Sequence, residues 1–209
     1  PLGIALRGAT LIVSEVSGAY IRSVNPADGS TAILAGTGVV GFLDGPLGTA
    51  TLGDPYDVAV DSAGVSFFTE NAAVRKLVLS SAVVSTLASV AGSGSGLSLD
   101  GSGVLYVSLT LSTSGARRAT GDDARIDMVS VSDGTTSTMS GVTGAILGVA
   151  VDYEGSQLFT VESAGRVRGF NATTVASTEA PAEEAAGFPT WAAVVIVLVL
   201  ATLAIGGFT

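Results

Sequence analysis

Apolar residues recur along the chain in four short phrases of similar spelling. The phrases occupy residues 3–6, 57–61, 96–100 and 148–152. Each is followed by a small-residue turn, then by a second apolar run, and then by an Arg in or beside a third run. Repeats of about 40–50 residues built from short strands are the sequence signature of propeller blades. The pattern therefore predicts an all-β fold, a β-propeller of about four blades.

Within each predicted blade, the order of turns and apolar runs indicates short antiparallel strands. The predicted blades cover residues 1–53, 54–94, 95–145 and 146–178. Asp-x-x-Gly turns follow the first strand in three blades, at 61–64, 100–103 and 152–155. Asp and Gly suit the first and last positions of a tight turn, which makes these acids turn residues. A β-prone second run, an Arg-bearing third run and a Ser/Thr-rich fourth run follow.

Three acids end the second predicted strand of their blades, and an Arg follows each within the reach of a hairpin. The acids are Glu15, Glu70 and Glu162, and the cations are Arg22, Arg75, and Arg166 or Arg168. A functional interpretation makes the acids ligands at a central channel. A structural interpretation makes each Glu–Arg pair a brace within its blade. The recurrence of the pair from blade to blade favours the structural interpretation.

The C-terminal part of the chain has a different pattern, because all 27 charged residues lie between Arg7 and Glu184. A helix over residues 188–208 would be about 30 Å long, which matches the hydrocarbon thickness of a bilayer. We therefore predict one C-terminal transmembrane α-helix that contacts the lipid bilayer. Trp191 is placed to anchor it at the membrane interface. The small residues Thr202, Gly206 and Gly207 are candidates for close packing against another helix.

The segment before the predicted helix bears on orientation. Residues 179–187 contain Glu179, Glu183 and Glu184 with one Pro, and are expected to form an acidic stalk. Asn171 begins an Asn-x-Thr sequon for glycosylation, which favours a lumenal or extracellular propeller on a single-pass protein. A tail-anchored protein with a cytosolic propeller is the alternative, since no Lys or Arg follows the helix.

The charge and the amino-acid composition argue against several classes of function for this protein. The net charge of −9 argues against a nucleic-acid partner, which needs a basic surface. The chain has no His and no Cys, so the commonest ligands for zinc and copper and the usual general base are missing. We therefore expect no cofactor, no metal site and no catalytic residues.

The repeated phrase, with its leading Pro, resembles the NHL repeat. Residues 1–6 (PLGIAL) and 55–61 (PYDVAVD) match the family phrase best, and residues 34–55 resemble the family's long connection between blades. The third unit has lost the strand-end acid and carries an insertion, and the fourth lacks the leading Pro. The resemblance covers residues 1–178 and implies a propeller that commonly has six blades. Four units therefore leave three alternatives: a four-bladed ring, an open ring completed by another chain, or blades missing upstream.

The insertion in the third unit is the least repeat-like part of the predicted propeller. Insertions in repeat proteins map to loops on one face, which is often the binding face. The charged residues of this insertion are candidates for contact with a partner: Arg117, Arg118, Asp122 and Asp123. A solvated hairpin loop is the alternative interpretation.

These observations favour a non-enzymatic, membrane-anchored propeller that acts as an accessory or scaffold subunit of a larger membrane complex. Its expected partners are other membrane protein subunits. One alternative is a receptor-like or adhesive ectodomain that binds a soluble ligand or a polysaccharide. A second is a calcium-dependent hydrolase, because propellers related by fold include lactonases. With only three Asn in the chain, the oxygen ligands for such a calcium site are few.

Overall fold

The computed structural model describes residues 1–110, 124–139, 142, 146–162 and 165–172. In these residues, the regular structure consists of sixteen β-strands and one 3₁₀ turn at Val16–Gly18. The strands form four antiparallel sheets, and successive strands lie side by side in each, except that one short strand of the second sheet pairs with the last strand of that sheet. This meander is the order of strands in propeller blades, so the prediction of a β-propeller of about four blades is confirmed for the described residues. The chain divides into two compact units, Pro1–Gly96 and Leu97–Thr209.

The first unit contains the first two sheets. The strands of the first sheet are β1 (Ile4–Arg7), β2 (Thr10–Glu15), β3 (Tyr20–Val24) and β4 (Thr31–Ala35). The second sheet is formed by β5 (Gly45–Pro46), β6 (Pro55–Val60), β7 (Ser66–Glu70), β8 (Ala73–Val78) and β9 (Val83–Ser89). In that sheet β5 pairs with the outer strand β9, ahead of the meander β6 to β9. The segment between β4 and β6, which we call the connector, thus adds a strand to the second sheet.

The apolar core of the first unit lies between its two sheets, where one face of the first sheet packs against one face of the second. Ile12 and Ile21 of the first sheet pack in one cluster with Val58, Phe68 and Leu77 of the second, and all five are nearly inaccessible to solvent. Each buried aliphatic or aromatic side chain of this kind contributes about 1.5–3 kcal/mol of transfer free energy. The two sheets are therefore stable as a pair, because each supplies the cover for one apolar face of the other.

A buried hydroxyl group also links the two sheets of the first unit. The Ser14 Oγ accepts a hydrogen bond from the Gly3 amide at 2.8 Å and donates one to the Tyr56 carbonyl oxygen at 2.6 Å. In the second sheet, Thr69 occupies the corresponding position and accepts a bond from the Asp57 amide at 3.1 Å. The hydroxyl thus satisfies backbone groups of the inner strands, which would otherwise be costly to bury.

The second unit contains most of the third sheet and the described part of the fourth. The third sheet is formed by β10 (Ser93–Leu99), which crosses the boundary between the units, and by β11 (Val104–Thr110), β12 (Ala124–Ser130) and β13 (Thr136–Met139). The fourth sheet is formed by β14 (Ile146–Val151), β15 (Gln157–Glu162) and β16 (Val167–Asn171). Tyr106 and Ile126 of the third sheet pack against Val149 and Leu158 of the fourth.

The strands lie where the repeated pattern places them, including the third strands that carry Arg. The expected stalk at 179–187 and the expected transmembrane helix at 188–208 lie outside the described residues, so both stay predictions. Among the residues that are described, no helix is long and apolar enough to span a membrane.

The residue after β4, Gly36, lies close to the turn before β3, and a substitution at Gly36 tests this close approach. Its φ is +98°, and a Cβ at this position would lie 2.1 Å from the carbonyl oxygen of Ala19. Gly36→Ala should therefore lower the free energy of unfolding by at least about 2 kcal/mol. Gly29 is the matched control, because its φ is +72° but a Cβ there would meet nothing within 4 Å. Gly29→Ala should cost only about 1 kcal/mol in urea denaturation. Equal losses in the two variants would contradict the close approach.

Candidate functional site

The most deeply buried charged group in the first unit is the ion pair between Glu70 and Arg75. The Arg75 Nη1 lies 3.1 Å from the Glu70 Oε1, and both side chains are at most 1% exposed. The same carboxylate oxygen accepts a bond from the Gly53 amide at 2.7 Å. Burial raises the pKa of Glu70 above its ordinary value, although the Gly53 amide and the positive charge of Arg75 oppose this shift. The carboxylate therefore depends on Arg75 and Gly53 to remain charged inside the protein.

The second terminal nitrogen of Arg75, Nη2, binds the connector. The Arg75 Nη2 lies 2.8 Å from the Asp44 Oδ1 and donates a hydrogen bond to the Leu43 carbonyl oxygen at 3.3 Å. Asp44 in turn accepts bonds from the Thr86 amide at 2.9 Å and from the Thr86 hydroxyl at 3.1 Å. The connector is thus tied to β8 and β9 by one buried cation and one acid.

The predicted pairs are present in the first and fourth sheets as well. Arg22 pairs with Glu15 and lies over the ring of Tyr20, with 4.9 Å from the guanidinium carbon to the ring centre. Glu162 forms ion pairs with Arg168 at 2.8 Å and with Arg166 at 3.1 Å, and Arg166 also donates a hydrogen bond to it. Each pair joins groups of a single sheet, as the structural interpretation requires.

In the third sheet the charges are reversed, a feature that the repeated phrase does not predict. Leu109 stands where Glu70 stands in the second sheet. Asp127 stands where Arg75 does, since Val107 pairs with Asp127 as Phe68 pairs with Arg75. Asp127 is buried and is held by two bonds from Arg125, at 2.7 and 2.6 Å. The Thr138 hydroxyl donates a third bond to Asp127 at 2.9 Å.

The turn acids accept hydrogen bonds within their own turns, which agrees with their interpretation as turn residues. Asp61 accepts the Val65 amide at 2.8 Å, and Asp100 accepts the amides of Ser102 and Val104 at 3.0 and 2.8 Å. Asp152 accepts the Ser156 amide at 2.7 Å and the Ser156 hydroxyl at 2.6 Å. Although burial opposes it, the bonds from Gln157 and Ser156 together lower the pKa of Asp152. Within the described ranges, no group of three or more His, Cys, Asp or Glu is arranged to hold a metal ion.

The connector carries an exposed apolar surface, which we call the connector patch. It consists of four side chains that are 57–68% exposed: Val39, Val40, Phe42 and Leu43. Their backbone is hydrogen-bonded to a later part of the connector, at Thr51 and Leu52. The Gly41 amide donates to the Leu52 carbonyl at 2.9 Å, and the Leu43 amide donates to the Thr51 Oγ1 at 3.0 Å. The patch is therefore apolar, and its backbone is restrained by hydrogen bonds at Gly41 and Leu43.

Gly53 determines where the ring of Phe42 lies. A Cβ at Gly53 would be 2.7 Å from two carbons of that ring, so the ring rests directly on the glycine backbone. The sequence contained the signal for this patch, since four apolar residues occur among five in a glycine-rich segment. It did not indicate their exposure, because runs of this kind usually predict burial.

The predicted site residues fall mostly outside the described part of the chain. Those in the insertion are Arg117, Arg118, Asp122 and Asp123, and those in the expected membrane helix are Trp191, Thr202, Gly206 and Gly207. Asn171 is the last residue of β16 and is exposed, while the Thr of its sequon is not described. All nine assignments stay predictions.

No protein-family model and no curated protein matches the sequence. Solved structures that resemble the chain include a chain of a nidogen–laminin complex, with 17% identity, a TM-score of 0.62, and coverage of 85% of this chain and 61% of that one. Regucalcin, a calcium-binding protein from Agrobacterium tumefaciens, matches with 12% identity, a TM-score of 0.60, and coverage of 86% and 57%. A chain of the mitotic checkpoint complex matches with 17% identity, a TM-score of 0.58, and coverage of 87% and 50%.

At these identities the likeness shows the fold alone, which is that of a β-propeller. The chain spans between half and three fifths of the length of these propeller chains.

The buried ion pair gives a stability prediction. Arg75→Met should lower the free energy of unfolding by about 3–5 kcal/mol, because it leaves Glu70 buried without its cation. The matched variant Arg22→Met should cost less than about 1 kcal/mol, since Arg22 is 31% exposed.

Burial raises the folded-state pKa of Glu70, so the protonated form favours folding. The deficit of Arg75→Met should therefore shrink as the pH falls towards 4.5, the ordinary value for Glu. Urea denaturation at two pH values measures both effects, and equal losses in the two variants would contradict the assignment.

Tyr106 gives a prediction at high pH. Burial, followed by the charge and hydrogen bond of Asp100, raises the pKa of Tyr106 from 10.0 to about 12. Because the folded-state pKa is the higher one, this group's contribution to stability is complete below pH 10 and is lost as the pH rises through 12. The tyrosinate absorbance of the wild type minus that of Tyr106→Phe measures the titration. In Asp100→Asn the pKa should fall only partly, because burial remains. A value near 10 in the wild type would refute the assignment.

Proposed function

We propose that this protein is a non-enzymatic, membrane-anchored propeller of the NHL type that acts as an accessory or scaffold subunit of a larger membrane complex. The observation that carries the proposal is the connector patch. Its four apolar side chains are exposed together on a backbone that is fixed by hydrogen bonds. Contiguous exposed apolar side chains are characteristic of protein–protein interaction sites.

The rigidity of the patch supports a protein as its partner. A side chain that is already fixed loses little conformational entropy when it binds, so more of its contact energy appears as affinity. Phe42 has the size of a central anchor residue, and Val40 and Leu43 are placed beside it along the connector. Arg75 is buried and holds the connector at Leu43 and Asp44, so this cation does not compete with a partner for the apolar surface.

The state of the ionisable groups supports a role without catalysis. Glu70, Asp127 and Glu162 are each neutralised by an Arg, and Asp61, Asp100 and Asp152 are bound within turns. Tyr106, with a pKa of about 12, stays protonated at neutral pH. A general base near neutral pH would need a group that is not already held in an ion pair or in a turn, and the sequence has no His to supply one.

The membrane part of the proposal rests on the sequence. Residues 188–208 would anchor the protein in the bilayer, with Trp191 at the interface, and Thr202, Gly206 and Gly207 would pack against a helix of another subunit. The propeller would lie on the lumenal or extracellular side, where Asn171 would be a glycosylation site. Two of the propellers that resemble this fold are chains of protein complexes, the nidogen–laminin complex and the mitotic checkpoint complex, which agrees with a role in assembly.

Extraction from native membranes in a mild detergent, followed by native mass measurement, tests the proposal. The wild-type chain should be found in an assembly heavier than one chain. Phe42→Asp should weaken the assembly by about 30-fold or more in affinity and release the single chain, because it places a charge in the apolar contact. The control is Tyr153→Asp, which changes an aromatic residue of similar exposure on a turn of the fourth sheet. A wild-type protein that is extracted only as a single chain would refute the scaffold role.

A further inference from the structure

The first sheet exposes one apolar face, which we call the open face. Its most exposed side chains are Leu2, Ile4, Leu6 and Ile33, at 41–66% exposure. The strand register places Ile4, Val13, Arg22 and Ile33 side by side on this face. Ile12 and Ile21 point to the opposite face and pack against the second sheet. One face of the first sheet is thus covered, while the other carries comparable apolar residues that no described part of the chain buries.

The same positions in the second sheet are buried. Ile4 pairs with Val13 as Val58 pairs with Phe68, so Val58 is the counterpart of Ile4. Val58 and Phe68 are 3% and 0% exposed, because the first sheet packs against them. In this repeat, the face that is open on the first sheet is therefore the face that a preceding blade covers.

The outer edge of the first sheet gives a second, independent indication. In the second sheet, the outer strand β9 is extended by β5, through the pairs Gly45 with Val84 and Pro46 with Val83. The counterpart of β9 in the first sheet is β4, which is the edge strand of that sheet. Within the described residues, β4 has no such added strand.

The cation of the first sheet gives a third indication. Arg75 receives Glu70 from its own sheet and Asp44 from the preceding connector, and it is 1% exposed. Its counterpart Arg22 receives Glu15 from its own sheet and is 31% exposed. The Arg75 site thus includes an acid from a connector, Asp44, which the described residues do not supply to the Arg22 site.

We propose that the open face and the edge of β4 are the docking surface for one further blade and its connector, in polypeptide that continues into Pro1. The added blade would cover Ile4 and Ile33, its connector would pair with β4, and an acid of that connector would bind Arg22. Continuity with Pro1 follows from the geometry of the connector, which pairs with β9 at Gly45 and Pro46 and then leads through residues 47–54 into Pro55, the counterpart of Pro1. This inference does not depend on the scaffold role, because the connector patch is a separate set of residues.

An extended chain, in which residues 1–54 are copied ahead of Pro1, tests the proposal. The copy supplies a blade and a connector of the required kind. The extended protein should have a Tm at least about 4 °C higher than the original chain in the same detergent. Hydrogen exchange at the outward amides of β4 should slow by at least about tenfold, because the added connector would pair with them. An unchanged Tm with unchanged exchange in β4 would overturn the proposal.

Variants show whether the gain arises at the docking surface. Ile4→Lys in the original blade should leave the Tm of the original chain almost unchanged, since the side chain is exposed there, but should abolish the gain in the extended chain. Leu147→Lys is the matched control, because Leu147 is 52% exposed on another sheet, and it should preserve the gain. Asp44→Asn in the added copy should reduce the gain, because it removes the acid for Arg22. A gain that survives Ile4→Lys would overturn the proposal.

Other occupants of the surface give different results in the original chain. If sedimentation shows a dimer that Ile4→Lys dissociates, then a second copy covers the face. If the chain binds phosphatidylcholine vesicles through this face, Ile4→Lys will release it whereas Leu147→Lys will not. Either result would overturn the assignment to a preceding blade.

Discussion

A blade with two apolar faces cannot be stable by itself, and the described structure depends on this constraint. The first and second sheets form a core because Ile12 and Ile21 fill the face that Val58 and Phe68 present. Hydrophobic transfer is non-directional, so it does not by itself fix how one sheet lies on the next. The Ser14 hydroxyl supplies that direction, because it bonds the Gly3 amide of its own sheet and the Tyr56 carbonyl of the following sheet.

The Arg75 network connects this core to the candidate interaction surface. A buried guanidinium is costly to desolvate and is retained only where several acceptors surround it. Here those acceptors come from β7 and from the connector, so the cation fixes Leu43 and Asp44 relative to the sheet. The connector patch is rigid for this reason. A loop anchored by surface contacts alone would expose Val40 and Phe42 in many conformations and would bind a partner more weakly.

The repeated phrase was sufficient to predict the strands and the partners of Glu15, Glu70 and Glu162, because both follow from local spacing within one hairpin. The pairing of β5 with β9 was not predictable, since two residues carry no periodic signal and their partners lie almost forty positions away. The exposure of Phe42 was hidden for a related reason. An apolar residue in sequence indicates burial, and only the position of Gly53 and Thr51 beneath the connector places it outside.

The charge reversal in the third sheet shows what the recurring pair requires. At the place of Glu70 stands Leu109, and at the place of Arg75 stands Asp127, yet the buried charge is again neutralised, by Arg125 from the same strand. A ligand site would require a particular sign of charge, because a cation and an anion bind opposite groups. A brace requires only that the buried charge be matched, and Thr138 completes the acceptor's bonds here. The position is therefore architectural, and recognition is better sought on the connectors and the exposed faces of the blades.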